Sequence, residues 1–158
     1  MPNPSTKLQK VANFFIAESN ENHKALTNKK LQKLAYYAQA WNLVFNDDVL
    51  FDEPIEAWIH GPAIRVLYNK YKKYSYFNIN EAPSIPSFED KIKSVIEDVW
   101  AVYGKFDADY LEVLTHNEEP WLAARGNAET SERTAKIIDT ALMKSYYAGL
   151  LKSVKAWA

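Results

Sequence analysis

The sequence contains no cysteine. That absence excludes a disulfide framework, thiolate metal ligation and a cysteine nucleophile, and it suits a reducing compartment. Glycine is nearly as scarce: Gly61, Gly104, Gly126 and Gly149 are scattered, and none opens a phosphate-cradling loop. No nucleophile elbow occurs. The three histidines, His23, His60 and His116, include no pair at metal-ligand spacing. The longest apolar stretch, residues 34–45, is interrupted by Gln39 and Asn42, so no run has the length of a membrane span. Residues 1–7 lack the charged-then-apolar pattern of a signal peptide. We expect a soluble, cytoplasmic protein that needs no cofactor and no metal.

The 158 residues fit one domain, 1–158. A chain of this size buries roughly 70% of its unfolded surface and holds together without staples. The net charge of −1 comes from 19 basic and 20 acidic residues. A dedicated nucleic-acid binder carries a clear basic excess, so the total argues against one. The charges are blocked. Residues 1–41 carry six lysines against two glutamates, and 65–73 carry Arg65, Lys70, Lys72 and Lys73. Acidic blocks alternate with these: Asp47, Asp48, Asp52, Glu53 and Glu56, then Asp107, Asp109, Glu112, Glu118 and Glu119. Such blocks form solvated faces or steer a charged partner. Aromatics make up 14% of the chain; those left at the surface would suit a protein interface.

Apolar spacing predicts a mainly α fold, one compact multi-helix domain with a short hairpin-like element around residues 49–59. Leu8, Val11, Ala12, Phe15 and Ile16 share one face of a first helix starting at Ser5 or Thr6. Thr27 caps a second, stapled by Leu26 and Leu31. Asp52-Glu53-Pro54 reads as a turn, and Ile55, Ala57 and Ile59 alternate as in a strand. Gly61-Pro62 opens a third helix, with Pro62 at its first position and Tyr68 and Tyr71 turned to the core. Residues 78–87 form a long loop. A fourth helix starts at Ser87, with Asp90 completing a weak capping box, and Gly104 ends it. Asp107 caps a fifth and Pro120 opens a short sixth. The tail from Thr130 holds one or two more, Asp139 capping the last.

Two segments are specified beyond periodicity. Trp58-Ile59-His60-Gly61-Pro62 reads as a rigid strand-to-helix corner with His60 bonded locally, or as a contact or base residue. Thr115-His116-Asn117-Glu118-Glu119-Pro120-Trp121 reads as a helix–helix corner. There His116 is favoured as a cation by the helix end, and Trp121 plugs the core. His116 with Glu118 would alternatively form an acid–base pair.

These segments together resemble the Panacea domain. Leu31-Gln32-Lys33-Leu34-Ala35-Tyr36-Tyr37-Ala38-Gln39-Ala40-Trp41 resembles its opening helix. Trp58, Gly61-Pro62 and Leu67-Tyr68 resemble its middle, and Thr115, His116, Glu118, Pro120 and Trp121 its Thr-His-x-Glu-x-Pro-Trp signature. Ala124-Arg125 continues that signature, and Met143-Lys144-Ser145-Tyr146-Tyr147 resembles the closing helix. Ser75 stands where the family commonly has glycine. The resemblance implies an antitoxin, one that neutralises a cognate protein toxin encoded nearby, often in prophage or mobile regions. It also implies a possible protease partner, since one relative delivers its toxin to a protease. The signature residues are expected to be mainly structural. Partner contact is expected on exposed positions instead: Arg65, Lys72 and Lys73, Asp47 and Asp48 in the acidic turn, and the 78–87 loop. A hydrolase remains the competing class; it requires His60 or His116 beside a carboxylate in a pocket.

Overall fold

A computed structural model describes residues 2–157, with side chains through Val154. Among the described residues there are seven α-helices, one 3₁₀ turn and one two-stranded hairpin, so the fold is mainly α.

Helix α1 (Thr6–Glu21) is capped by Ser5, whose hydroxyl accepts from the Leu8 N–H. Helix α2 (Asn28–Asn46) is capped by Thr27 in the same way, through the Lys30 N–H. It ends at Asp47, in the left-handed conformation at φ 52°. Helix α2 is the axis of the molecule and touches α1, α3, α4, α5, α7 and the second strand. Leu31, Leu34, Ala35, Tyr36, Tyr37 and Ala38 are buried on it. So are polar residues that helical periodicity does not anticipate, and each binds a flanking segment. Gln32 Oε1 accepts from the Ile64 N–H (2.8 Å). Gln39 bridges both sides of one loop, donating to the Phe51 carbonyl (2.8 Å) and accepting from the Leu50 N–H (2.6 Å). Asn42 donates to the Asp48 carbonyl (2.8 Å). Burial of polar groups is tolerable only when they are bonded in this way. The central helix thus fixes its own surrounding loops.

The hairpin lies further along the chain than expected. Strand β1 (Glu56–Trp58) pairs antiparallel with β2 (Gly61–Ala63), so residues 49–55 precede it. Pro62 stands in β2 opposite Ala57 and opens no helix. Gly61 makes the turn possible at φ 108°, a region closed to most side chains. The other edge of β1 is also covered. Ala57 donates to the Lys136 carbonyl and Ile138 to the Ile55 carbonyl, so the extended segment before the last helix completes the pairing and holds no helix of its own.

Helix α3 (Arg65–Tyr71) runs into a 3₁₀ turn, Lys72–Tyr74, which stops at Ser75 with φ 53°. Ser75 therefore holds the unusual backbone angle that a glycine would adopt freely. The loop that follows leads to α4 (Asp90–Tyr103), which begins three residues later than predicted and has no side-chain cap. Helices α5 (Ala108–His116) and α6 (Glu119–Arg125) form a corner, with Asp107 capping the first and Pro120 in the first turn of the second. Helix α7 (Thr140–Trp157) begins at Asp139, whose carboxylate accepts from the Ala141 N–H, and packs Met143 and Tyr147 into the core. One continuous cluster includes Phe15, Leu34, Phe51, Leu67, Ile96 and Leu111. No helix among the described residues is long and apolar enough to cross a membrane.

Candidate functional site

The Thr115–Trp121 corner sits inside the fold. Trp121 is 4% exposed and donates its indole N–H to the Trp58 carbonyl at 2.8 Å. This bond ties α6 to the hairpin. His116 stacks on Trp121, with ring centroids 4.0 Å apart and planes at 12°. Arg125, buried, lies 4.7 Å from the same indole and donates to the carbonyls of Ala57, Glu129 and Glu132. It thereby fixes the loop after α6. Thr115 Oγ1 donates back to the carbonyls one turn earlier.

Burial lowers the His116 pKa below the ordinary imidazole value. The expectation of a cation at the helix end is corrected: desolvation outweighs the helix dipole. His116 and Glu118 also do not form a pair. The Glu118 carboxylate turns into the core, where Oε1 accepts from the hydroxyls of Tyr37 (2.7 Å) and Tyr147 (2.8 Å). Because Tyr147 spends its proton on Glu118, Tyr36 is the donor in the 2.9 Å Tyr36–Tyr147 bond. Burial pushes the Glu118 carboxyl up, and the two tyrosine hydrogen bonds offset part of this. The result is a tyrosine–carboxylate knot holding α2, α6 and α7 together.

An open groove lies elsewhere, at the head of α2. A groove of about 1470 Å³ runs between the first turns of α2, the hairpin turn, α3 and the 105–109 turn. Its lining includes eight basic side chains from Lys24 to Arg133 but only two carboxylates, Asp107 and Asp109. Three of those cations come from the first two turns of α2. Lys29 reaches Glu112 and Asp109. Burial lowers its amine pKa, but those carboxylates outweigh burial and hold it above the ordinary value. Lys30 is buried and donates to the Gly104 carbonyl at 2.7 Å; burial, then repulsion from Lys24, lowers its pKa. Lys33 is 2% exposed and donates to the Pro62 carbonyl at 3.1 Å. Burial and then repulsion from Lys29 bring it down to about 7. Gly61 covers it: a Cβ there would overlap the Lys33 side chain and press on Thr115 Oγ1.

On the hairpin side, Arg65 pairs with Glu56 at 2.7 Å and lies 5.1 Å over the Trp58 ring. Tyr68 meets that ring edge-on at 5.1 Å. Tyr68 is 37% exposed and belongs to the groove wall, which corrects its assignment to the core. His60 Nδ1 lies 3.2 Å from Glu112 Oε2, with the imidazole largely in solvent. Burial would raise the Glu112 carboxyl, but hydrogen bonds from Lys29 and His60 prevail and hold it below the usual range. A carboxylate so neutralised is a poor base, and the hydroxyl of nearby Thr115 is spent on backbone carbonyls. The cluster works as an ion-pair network.

Of the residues expected to meet a partner, Arg65 and Lys72 line this groove, and Lys73 lies beyond it with its amine over Tyr74. Asp47 and Asp48 sit at the far end of α2, Asp47 bonded to Lys144 and Asp48 to the Val49 N–H. They share no surface with the cations. Lys24, Lys105 and Arg133 carry no sequence signal of a shared site, because they come from three separate segments. The basic block in residues 1–41 was the one available signal.

No curated protein and no solved structure matches the chain. A family model describing the antitoxin SocA-like Panacea domain matches residues 31–122. The match runs from Leu31 in α2, through the hairpin and α3, to Trp121 and Leu122 in α6. It covers more than half of the sequence, and the chain belongs to the antitoxin SocA-like Panacea domain family.

Proposed function

We propose that this protein is the antitoxin of a toxin–antitoxin pair and neutralises its toxin in the cytoplasm by direct, stoichiometric binding rather than by catalysis. The family match over residues 31–122 carries the reading. Two features of the molecule support it. The signature residues Trp121, Arg125 and Glu118 are buried and satisfied by hydrogen bonds inside the fold, which leaves them to stabilise a scaffold. The groove at the head of α2 is wide, open and charged, which suits protein recognition, where complementary potentials set partner choice and association rate. A stable complex requires roughly 1,200–2,000 Å² of buried surface, so contacts extend past the groove onto its rim. The test is co-expression with the product of the neighbouring reading frame. Growth rescue together with co-purification of the two chains supports the proposal. Rescue with the toxin recovered alone and chemically altered would replace it with an enzymatic one.

A further inference from the structure

We propose that the groove at the head of α2 receives an acidic stretch of the partner protein, its carboxylates seated on Lys24, Lys72, Lys105 and Arg133. The inference takes the protein nature of the partner from the antitoxin reading above; the chemistry of the segment comes from the groove.

Among the described residues, these four cations line the groove, are exposed, and have no carboxylate within salt-bridge distance. The other lining cations are engaged: Lys29 by Asp109 and Glu112, Arg65 by Glu56, and Lys30 and Lys33 by backbone carbonyls. These four are thus the uncompensated charge of the groove, since Asp109, Glu112 and Glu56 already neutralise Lys29 and Arg65. Unpaired cations gathered along one groove repel, and an incoming row of carboxylates relieves that repulsion. The volume of about 1470 Å³ exceeds the roughly 300–1,000 Å³ of small-molecule sites and fits a segment of chain.

A single-stranded nucleic acid is the other polyanion to consider, and the groove fits it less well. Stacking needs free aromatic faces. Tyr76 offers one, at 92% exposure, but a strand needs several in succession, and the Trp58 ring is covered by Arg65 and Tyr68 while Phe106 is stacked on Tyr110 at 4.2 Å with Lys105 against it. Asp107 and Asp109 also interrupt the 105–109 wall, which a continuous phosphate backbone cannot avoid but a peptide of mixed sequence can.

The decisive experiment uses the full chain with two labelled probes of equal length and charge, a glutamate- and leucine-containing peptide and a single-stranded oligonucleotide, read by fluorescence anisotropy. The peptide is expected to bind more tightly. Its affinity should fall at least tenfold in K72E/K105E/R133E, whose melting temperature should stay close to that of the parent because all three side chains are exposed. Tighter binding of the oligonucleotide, or peptide binding indifferent to the three reversals, overturns the proposal. In parallel, carbodiimide cross-linking of the co-expressed toxin complex joins paired amines and carboxylates directly. Cross-links from Lys24, Lys72 or Lys105 to toxin carboxylates support the proposal; cross-links confined to lysines outside the groove overturn it. If no toxin complex forms, the antitoxin reading fails, and the peptide arm still decides the chemistry of the groove.

Discussion

Lys33 is the place where stability and a charged groove conflict, and Lys33→Met measures the conflict. In the unfolded chain its amine titrates at the ordinary 10.5; in the fold, burial brings it down to about 7. At about 1.4 kcal/mol for each pH unit, carrying this amine into the core costs roughly 5 kcal/mol below neutral pH. Methionine fills a similar volume without the charge, but it leaves the Pro62 carbonyl without its donor, at about 1–3 kcal/mol. The expected balance is a gain of roughly 2–4 kcal/mol at pH 6, or about 4–16 °C in melting temperature for a chain of this size. The sign of the pH dependence is fixed by linkage. Between the folded and unfolded values the unfolded chain binds the extra proton, so parent stability rises with pH across that window. The advantage of methionine is therefore full below pH 7 and shrinks as pH rises from 7 toward 10.5. Thermal melts of both proteins from pH 6 to 10 provide the assay. A variant that melts below the parent at pH 6, or a difference that does not narrow toward pH 10, refutes the reasoning.

Four further substitutions probe the scaffold. Trp121→Ala removes the indole that joins α6 to the hairpin and should cost roughly 3–5 kcal/mol by chemical denaturation, with His116→Ala, which loses only the stacked ring, costing less; equal costs would count against the stacking account. For Glu118→Gln, the raised carboxyl of the parent means that its contribution to stability is full below the ordinary carboxylate pKa and declines as pH rises through the folded value. The variant should accordingly gain on the parent between pH 4 and pH 8, and a constant difference across that range would contradict the burial of an ionised group. Gly61→Ala forces a side chain into φ 108° and onto Lys33, at about 1–3 kcal/mol for the backbone alone; an unchanged melting temperature would show that the turn relaxes freely.

The helices were legible because their signals are local. Thr27, Asp107, Asp139 and Gly126 stand at helix ends, where a side chain or a missing one does the work. The stripe of Val95, Ile96, Val99 and Tyr103 is buried as its spacing requires. The hairpin was displaced because its pairing is not local. The extended edge of β1 is satisfied by residues 136–138, some eighty positions away, and Pro62 reads equally well as a helix start until its strand partner is known. The polar side of α2 was hidden for a related reason. Gln32, Lys33 and Gln39 have the composition of a solvated face, and only the loops around them reveal that they are buried and bonded. The Thr115–Trp121 segment stood out in sequence as a corner, but the partners of Glu118 lie on α2 and α7. The groove was least legible: it is assembled from the start of α2, the hairpin, α3 and the 105–109 turn, and its excess charge vanishes in a chain whose net charge is −1.

The central proposal, neutralisation by direct binding, is tested most directly by titrating the product of the neighbouring reading frame, once shown to be toxic, with this purified protein while following toxic activity and complex mass by light scattering. Activity should fall linearly and reach zero at a fixed molar ratio, the ratio at which all toxin runs as one complex, and it should return when the complex is dissociated. Inhibition that is complete at a small fraction of that ratio, or that persists after the two chains are separated, would contradict the account.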